Sequence, residues 1–146
     1  MMEFPIQSFE GLVGGFIGVA IIINAIIFGV GLNRNADRNL PNGSIIGTIW
    51  IILIGCMAYS QWLLIQSSDI IWVQWLIPAL FLLCILYPIY TAGFRSKKIS
   101  MYMTVFTVIF SLFIVHILYQ FNWISAALIA LTTAWTLYVS YMTVSL

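Results

Sequence analysis

Few side chains in this protein could do chemistry, and they are scattered along the chain. The single histidine, His116, lies deep in one apolar stretch, and Asn24 lies in another. A lone His can ligate haem iron, and the alternative is that it hydrogen-bonds a neighbouring hydroxyl or carbonyl. Cys56 and Cys84 have neither a CxxC partner nor a metal-ligand spacing. We therefore expect both cysteines to be small buried apolar residues and predict no metal site.

The composition excludes several classes of protein. Of the 146 residues, 63% are hydrophobic and only 6% are charged, whereas soluble domains carry about 25% charged residues. So few charges cannot cover the surface of a soluble domain. The net charge of +1 leaves no basic patch for nucleic acid. No phosphate-binding loop is present, and the apolar runs are unbroken, unlike the alternating strands of a membrane barrel.

The polar breaks divide the chain into five apolar runs of membrane-spanning length. Backbone groups in lipid must be paired internally, so each run is expected to be a helix. The first run lacks a preceding basic segment and is expected to remain as a span rather than be cleaved as a signal peptide. We predict an all-α membrane protein, a bundle of five transmembrane helices in a single domain over residues 1–146. The predicted spans are residues 12–32, 45–65, 70–90, 99–119 and 123–144.

The basic residues predict the orientation. All of them follow the first or the third predicted span, in loops that share one side: Arg34, Arg38, Arg95, Lys97 and Lys98. The positive-inside rule makes that side cytoplasmic. The N-terminus is then outside and the C-terminus cytoplasmic. No charged residue lies inside a predicted span, which argues against a pump or an ion-coupled transporter.

The tryptophans fall into two groups. Four lie near the predicted outer boundary, where amphipathic rings settle at the headgroups: Trp62, Trp72, Trp75 and Trp123. Trp50 and Trp135 lie deeper within their spans. They either pack against lipid and other helices or line an internal pocket, where aromatic rings would suit a planar ligand.

Small residues and prolines add two structural expectations. Gly14 and Gly18 form a GxxxG pattern in the first span, which allows helix backbones to approach closely and indicates a dimer face. Pro78 and Pro88 lie in the third span, where each removes a backbone donor and can kink the helix.

The residues around the start of the second span resemble a family motif. Pro41, Gly43, Gly47 and Trp50 match in register the Pro-Pro-Gly-x-x-x-Gly-Pro-x-Trp pattern of the tryptophan-rich sensory protein/translocator protein (TspO/MBR) family. The last span resembles the family's Ala-x-Leu-x-x-Pro-Tyr-x-x-Trp pattern, with Trp135 at the place of its Trp. The layout of five spans also agrees with this family.

The resemblance implies a binding site between helices. In the family, the residues equivalent to Trp50 and Trp135 line a cavity for porphyrins and drug-like ligands. Tyr138 would add a hydroxyl, and Arg34 and Arg38 would close the cytoplasmic mouth and attract a propionate.

The chain also departs from the family patterns. Asn42 replaces the second Pro of the first pattern, and Leu131 and Thr132 replace the Pro-Tyr of the second. Ligand recognition in the family depends partly on such groups, so the fold transfers more safely than the ligand.

We therefore expect a TspO-like membrane protein that binds a planar apolar ligand, such as a tetrapyrrole (porphyrin or haem) or a sterol-like molecule. Its role would lie in stress or tetrapyrrole regulation or transport. We expect no required cofactor, and we expect the lipid bilayer, the ligand and a second copy in a homodimer as partners. We expect no enzymatic activity, with the alternative, implied by the resemblance, of light-dependent porphyrin breakdown. The alternatives are a structural or assembly subunit of a larger membrane complex and a transporter component for an apolar solute.

Overall fold

A computed structural model describes residues 5–30, 43–86 and 97–144. These residues form helices and no strand. The helices, in chain order, are α1 (Phe9–Val30), α2 (Gly43–Ser67), α3 (Ile71–Gln74), α4 (Leu76–Ile85), α5 (Lys97–Tyr119) and α6 (Trp123–Val144).

Four of these helices are long and apolar enough to cross a membrane. The apolar segments are Phe9–Ile27 in α1, Thr48–Ser67 in α2, Lys98–Tyr119 in α5 and Trp123–Met142 in α6. The third predicted span differs, because α3 and α4 together form only the shorter apolar segment Ile71–Ile85. The end of that predicted span, residues 87–90, lies outside the described residues.

The break between α3 and α4 occurs at Trp75, one turn before Pro78. A proline lacks the N–H that would bond the carbonyl four residues earlier, and here that carbonyl belongs to Gln74. The carbonyl accepts a hydrogen bond from Gln61 Nε2 of α2 instead, at 2.7 Å. Gln74 Nε2 in turn donates to the carbonyl of Ser68 at 2.6 Å. The kink expected at Pro78 is thus a full helix break, while Pro88 lies outside the described residues.

The bundle is apolar outside and partly polar inside. Large apolar side chains such as Ile21, Ile51 and Ile109 are exposed. Among the described residues, thirteen polar ones are buried, most of them Ser and Thr. This distribution reverses that of a soluble protein and fits helices whose outer surface contacts lipid.

Two hydroxyl contacts join the helices around α6. Ser60 of α2 and Ser125 of α6 bond reciprocally: Ser60 Oγ donates to the Ser125 carbonyl at 2.9 Å, and Ser125 Oγ donates to the Ser60 carbonyl at 3.1 Å. On another side of α6, the hydroxyls of Thr133 and Ser111 of α5 are hydrogen-bonded. Small hydroxyl residues let helix backbones approach closely in a membrane, so α6 is held between α2 and α5.

Contacts at the helix ends show which ends lie together. Asn122 caps α6, because its Oδ1 accepts the N–H groups of Ile124 and Ser125, and its Nδ2 donates to Ser67 Oγ at the end of α2. The Phe9 ring at the start of α1 contacts Trp62 near the end of α2, with ring centroids 6.2 Å apart. The start of α1, the end of α2 and the start of α6 therefore lie at one end of the bundle.

Candidate functional site

The two deeper tryptophans contact each other between α2 and α6. The ring centroids of Trp50 and Trp135 are 6.3 Å apart, and the ring planes are nearly perpendicular at 88°. Edge-to-face pairs of this kind are a favourable aromatic arrangement. The family resemblance implies that both residues line one cavity although they are far apart in the chain, and the structure brings their rings into contact.

The Trp pair belongs to a cluster drawn from several helices. Val139 of α6 is buried, and the partly buried Trp50, Trp135, Met103 of α5 and Leu86 at the end of α4 pack against it. We call these five residues, with Tyr138, the tryptophan cluster. It contains residues near the starts of α2 and α5 and near the end of α6, and so lies towards the end of the bundle that carries Lys97 and Lys98.

Tyr138 extends the cluster towards its exposed side. Its ring centroid is 5.5 Å from that of Trp135, with the planes tilted by 32°, and its side chain is exposed. Neither α2 nor α6 contains an Asp, Glu, Lys, Arg or His. The surroundings that these two helices give the cluster are therefore aromatic, apolar and uncharged.

Some buried polar atoms of the described part have no hydrogen-bond partner. They are Gln61 Oε1, Thr132 Oγ1, Trp135 Nε1 and Ser140 Oγ. A buried polar atom without a partner loses the bonds that it made with water, so native proteins keep few of them and each requires an explanation. Three of the four, on Thr132, Trp135 and Ser140, belong to α6, and Trp135 is itself part of the tryptophan cluster.

The other residues of the motif around the start of α2 are only partly described. Gly43 is the first residue of α2, and Gly47 follows within the same helix. Pro41, Arg34 and Arg38 lie outside the described residues. The motif match at Pro41 and the expected closure of the cytoplasmic mouth by Arg34 and Arg38 therefore stay predictions.

The glycine pair of α1 meets no other part of the described chain. A Cβ atom at Gly14 or at Gly18 would have nothing within 4 Å. The close helix contact that the GxxxG pattern predicts is therefore not made by the helices described here, and no described residue covers the space beside these two glycines. Asn24, on the same helix, is half-buried.

The prediction that His116 lies deep in its helix is wrong. His116 is in the last turn of α5 and its side chain is exposed. The predicted span, residues 99–119, ends at the same residue as α5, so the error concerns the place of His116 within the span and not the extent of the span. The structure does not bring His116 into the tryptophan cluster, and the described residues contain no group of three or more His, Cys, Asp or Glu that could hold a metal ion.

The two cysteines have different surroundings. Cys84 is buried in the core, as expected. Cys56 is only half-buried, and neither is part of a disulfide.

Sequence reasoning missed the buried hydroxyl residues that hold α6. The sequence could have revealed these residues, because Ser and Thr recur in it at helical spacing. The buried ones are Ser100, Thr104, Thr107 and Ser111 in α5, and Ser125, Thr132, Thr133, Thr136 and Ser140 in α6. Residues three and four positions apart share one helix face. This spacing within otherwise apolar spans marks the faces along which the helices meet.

The fold and the cluster define an integral membrane protein that crosses the bilayer several times and encloses uncharged aromatic side chains between its helices. The TspO/MBR family model matches residues 16–146, nearly the whole chain. The chain therefore belongs to the TspO/MBR family, as its motifs suggest. A search of curated proteins finds no match.

Proposed function

We propose that this protein binds a planar apolar ligand at the tryptophan cluster. The observation that carries the proposal is the perpendicular contact of Trp50 and Trp135, 6.3 Å apart across α2 and α6. A flat ligand inserted beside the pair stacks on one ring and meets the other edge-on, and both arrangements are favourable for aromatic groups. The uncharged surroundings suit an apolar ligand, since ligand sites are mostly apolar with a few polar groups that fix orientation.

Tetrapyrroles such as porphyrin or haem are the ligand class that we propose first, with sterol-like molecules second. Membership in the TspO/MBR family supports this choice, as does the aromatic content of the cluster. The role of the ligand-bound protein would be in stress or tetrapyrrole regulation or transport. Arg34 and Arg38, in the predicted cytoplasmic loop, would attract the propionates of a porphyrin whose ring lies between the helices.

The test is porphyrin binding by the purified protein in nanodiscs. Protoporphyrin IX at micromolar concentration should quench tryptophan fluorescence, and its Soret band should shift. Trp50→Ala and Trp135→Ala should each weaken binding by about tenfold or more, because a lost aromatic contact of about 0.5–1.5 kcal/mol adds to the lost buried area.

Trp123→Ala is the matched control, because Trp123 is exposed and lies at the other end of the bundle. It should leave the affinity unchanged. Binding that is absent in the wild type, or equally strong in all three variants, would contradict the proposal.

We also propose that two copies of the chain associate through α1. Gly14 and Gly18 present a face that no described part of the chain covers, and a GxxxG face allows two helices to pack closely in a membrane. The proposed orientation has the N-terminus outside and the C-terminus in the cytoplasm. It is supported by the basic residues that follow the first and third predicted spans.

A further inference from the structure

Two of the buried polar atoms without partners lie on the face of α6 that meets α2. Ser125 bonds to Ser60 of α2, and Val139 packs against Trp50 of α2. Thr132 lies about two helical turns from each of them, and it is fully buried. Trp135 follows Thr132 by about one turn and so shares its face.

Trp135 Nε1 and Thr132 Oγ1 differ from nearby hydroxyl groups because they have no hydrogen-bond partner. The indole N–H of Trp135 can only donate, and it cannot rotate independently of the ring that contacts Trp50. The hydroxyls of Thr133 and Thr107 donate to the carbonyls four residues earlier, at 3.2 Å and 2.9 Å. Thr132 Oγ1 makes no such bond, although its helix offers the same kind of carbonyl.

We propose that Trp135 Nε1 and Thr132 Oγ1 form a hydrogen-bonding subsite for a neutral carbonyl oxygen at the edge of a planar ligand. The inference deepens the proposed function and depends on it. Each atom can donate a hydrogen bond, and their residues lie about one turn apart on the same face of α6, so the proposal has them share one oxygen, with the ligand ring against Trp50. The acceptor is a carbonyl rather than a carboxylate, because α2 and α6 contain no Lys, Arg or His, and burying an unpaired charge is costly.

Anthraquinone and anthracene are a suitable pair of probes. They have nearly the same flat shape, and only anthraquinone carries carbonyl oxygens. Both would be titrated into the full-length protein in nanodiscs, with empty nanodiscs to correct for partition into lipid. The wild type should bind anthraquinone about tenfold more tightly, since a site built to hydrogen-bond a ligand rejects the analogue that lacks the group.

Three variants test which side-chain atoms cause the preference for anthraquinone over anthracene. Trp135→Phe keeps an aromatic ring and removes the N–H, and Thr132→Val removes the hydroxyl while keeping a similar shape. Each should weaken anthraquinone binding about threefold to tenfold and reduce the preference for anthraquinone over anthracene. Ser140→Ala is the control: Ser140 Oγ is also buried without a partner, but it lies about two turns from Thr133, on the α5 side of α6.

The outcomes separate the two proposals. If neither probe binds to the wild type, or if Trp50→Ala, titrated in the same way, binds both probes as tightly as the wild type, the proposed function fails. If both probes bind equally well to the wild type, or if Trp135→Phe and Thr132→Val retain the preference, the carbonyl subsite is refuted while the aromatic site remains. Should Trp135→Phe fail to fold, as judged by circular dichroism and gel filtration, Thr132→Val decides alone.

Discussion

The side chain of Gln61 replaces the hydrogen bond that Pro78 removes. Its Nε2 donates to the carbonyl of Gln74 at 2.7 Å, four residues before the proline. Gln61 is fully buried, as expected of a group that acts inside the bundle. The break between α3 and α4 is thus compensated from α2, in the way that neighbouring helices satisfy backbone groups freed by proline in membranes.

A double-mutant cycle tests this compensation. In the wild-type background, Gln61→Leu removes the hydrogen bond that Gln61 Nε2 donates to the Gln74 carbonyl. In a Pro78→Ala background, the substituted residue has a backbone N–H that can bond the same carbonyl. Gln61→Leu should therefore be less damaging there, by about 1 kcal/mol in the free energy of unfolding, measured in mixed micelles.

The exposed residue Gln66 on the same helix provides the control. Gln66→Leu should show no coupling to Pro78→Ala. Equal effects of Gln61→Leu in both backgrounds would mean that the bond to Gln74 contributes nothing.

Thr132 and Thr133 should respond oppositely to the same substitution. Thr132→Val removes a buried hydroxyl without a partner and should raise the free energy of unfolding of the ligand-free protein by about 1 kcal/mol. Thr133→Val removes a hydroxyl that bonds to Ser111 and to the Ile129 carbonyl, and should lower it by about 1 kcal/mol. Thermal unfolding in one detergent measures both. A shift of the same sign for the two neighbours would contradict the assignment of their hydrogen bonds.

The sequence predicts the helices well because lipid imposes a simple rule. Apolar runs of about 20 residues must pair their backbone groups internally, and the described part of the chain contains four such helices. The sequence does not locate the end of α3, because whether a proline kinks or breaks a helix depends on a donor such as Gln61 from another helix. The place of His116 near a helix end follows from the sequence, because the predicted span and α5 both end at residue 119.

The candidate site, like the fold, can be predicted only in part from the sequence. The resemblance of motifs selects Trp50 and Trp135, and the structure shows that they are in contact. For Thr132, the sequence indicates only a departure from the family pattern. Its unpartnered hydroxyl depends on the packing of α6 between α2 and α5, which the order of residues alone does not specify.

The orientation in the membrane can be tested with single added cysteines. Asp69 and Lys98 are both exposed, and they lie at opposite ends of the bundle. A membrane-impermeant maleimide should label Asp69→Cys in intact cells and Lys98→Cys only after permeabilisation, because the positive-inside rule places Lys98 in the cytoplasm.

The wild-type chain gives the background of that labelling. Cys84 is buried, and Cys56 lies within α2, so little reaction with the reagent is expected from either. Labelling of Lys98→Cys but not of Asp69→Cys in intact cells would reverse the orientation.

The open glycine face of α1 leads to a prediction about association. Gly18→Leu should leave the fold of each copy intact, because a Cβ at Gly18 meets nothing within 4 Å. It should abolish dimers, because a large side chain keeps two GxxxG helices apart. Light scattering in detergent and cross-linking in nanodiscs would measure the change.

Gly55→Leu is the matched control for the dimer experiment. A Cβ at Gly55 also meets nothing within 4 Å, but Gly55 lies on α2 and not on the glycine face of α1. It should leave the dimer intact, which separates a specific helix contact from a general effect of added apolar volume. A wild-type chain that is monomeric at all concentrations, or a Gly18→Leu variant that still forms dimers, would show that this face contacts lipid alone.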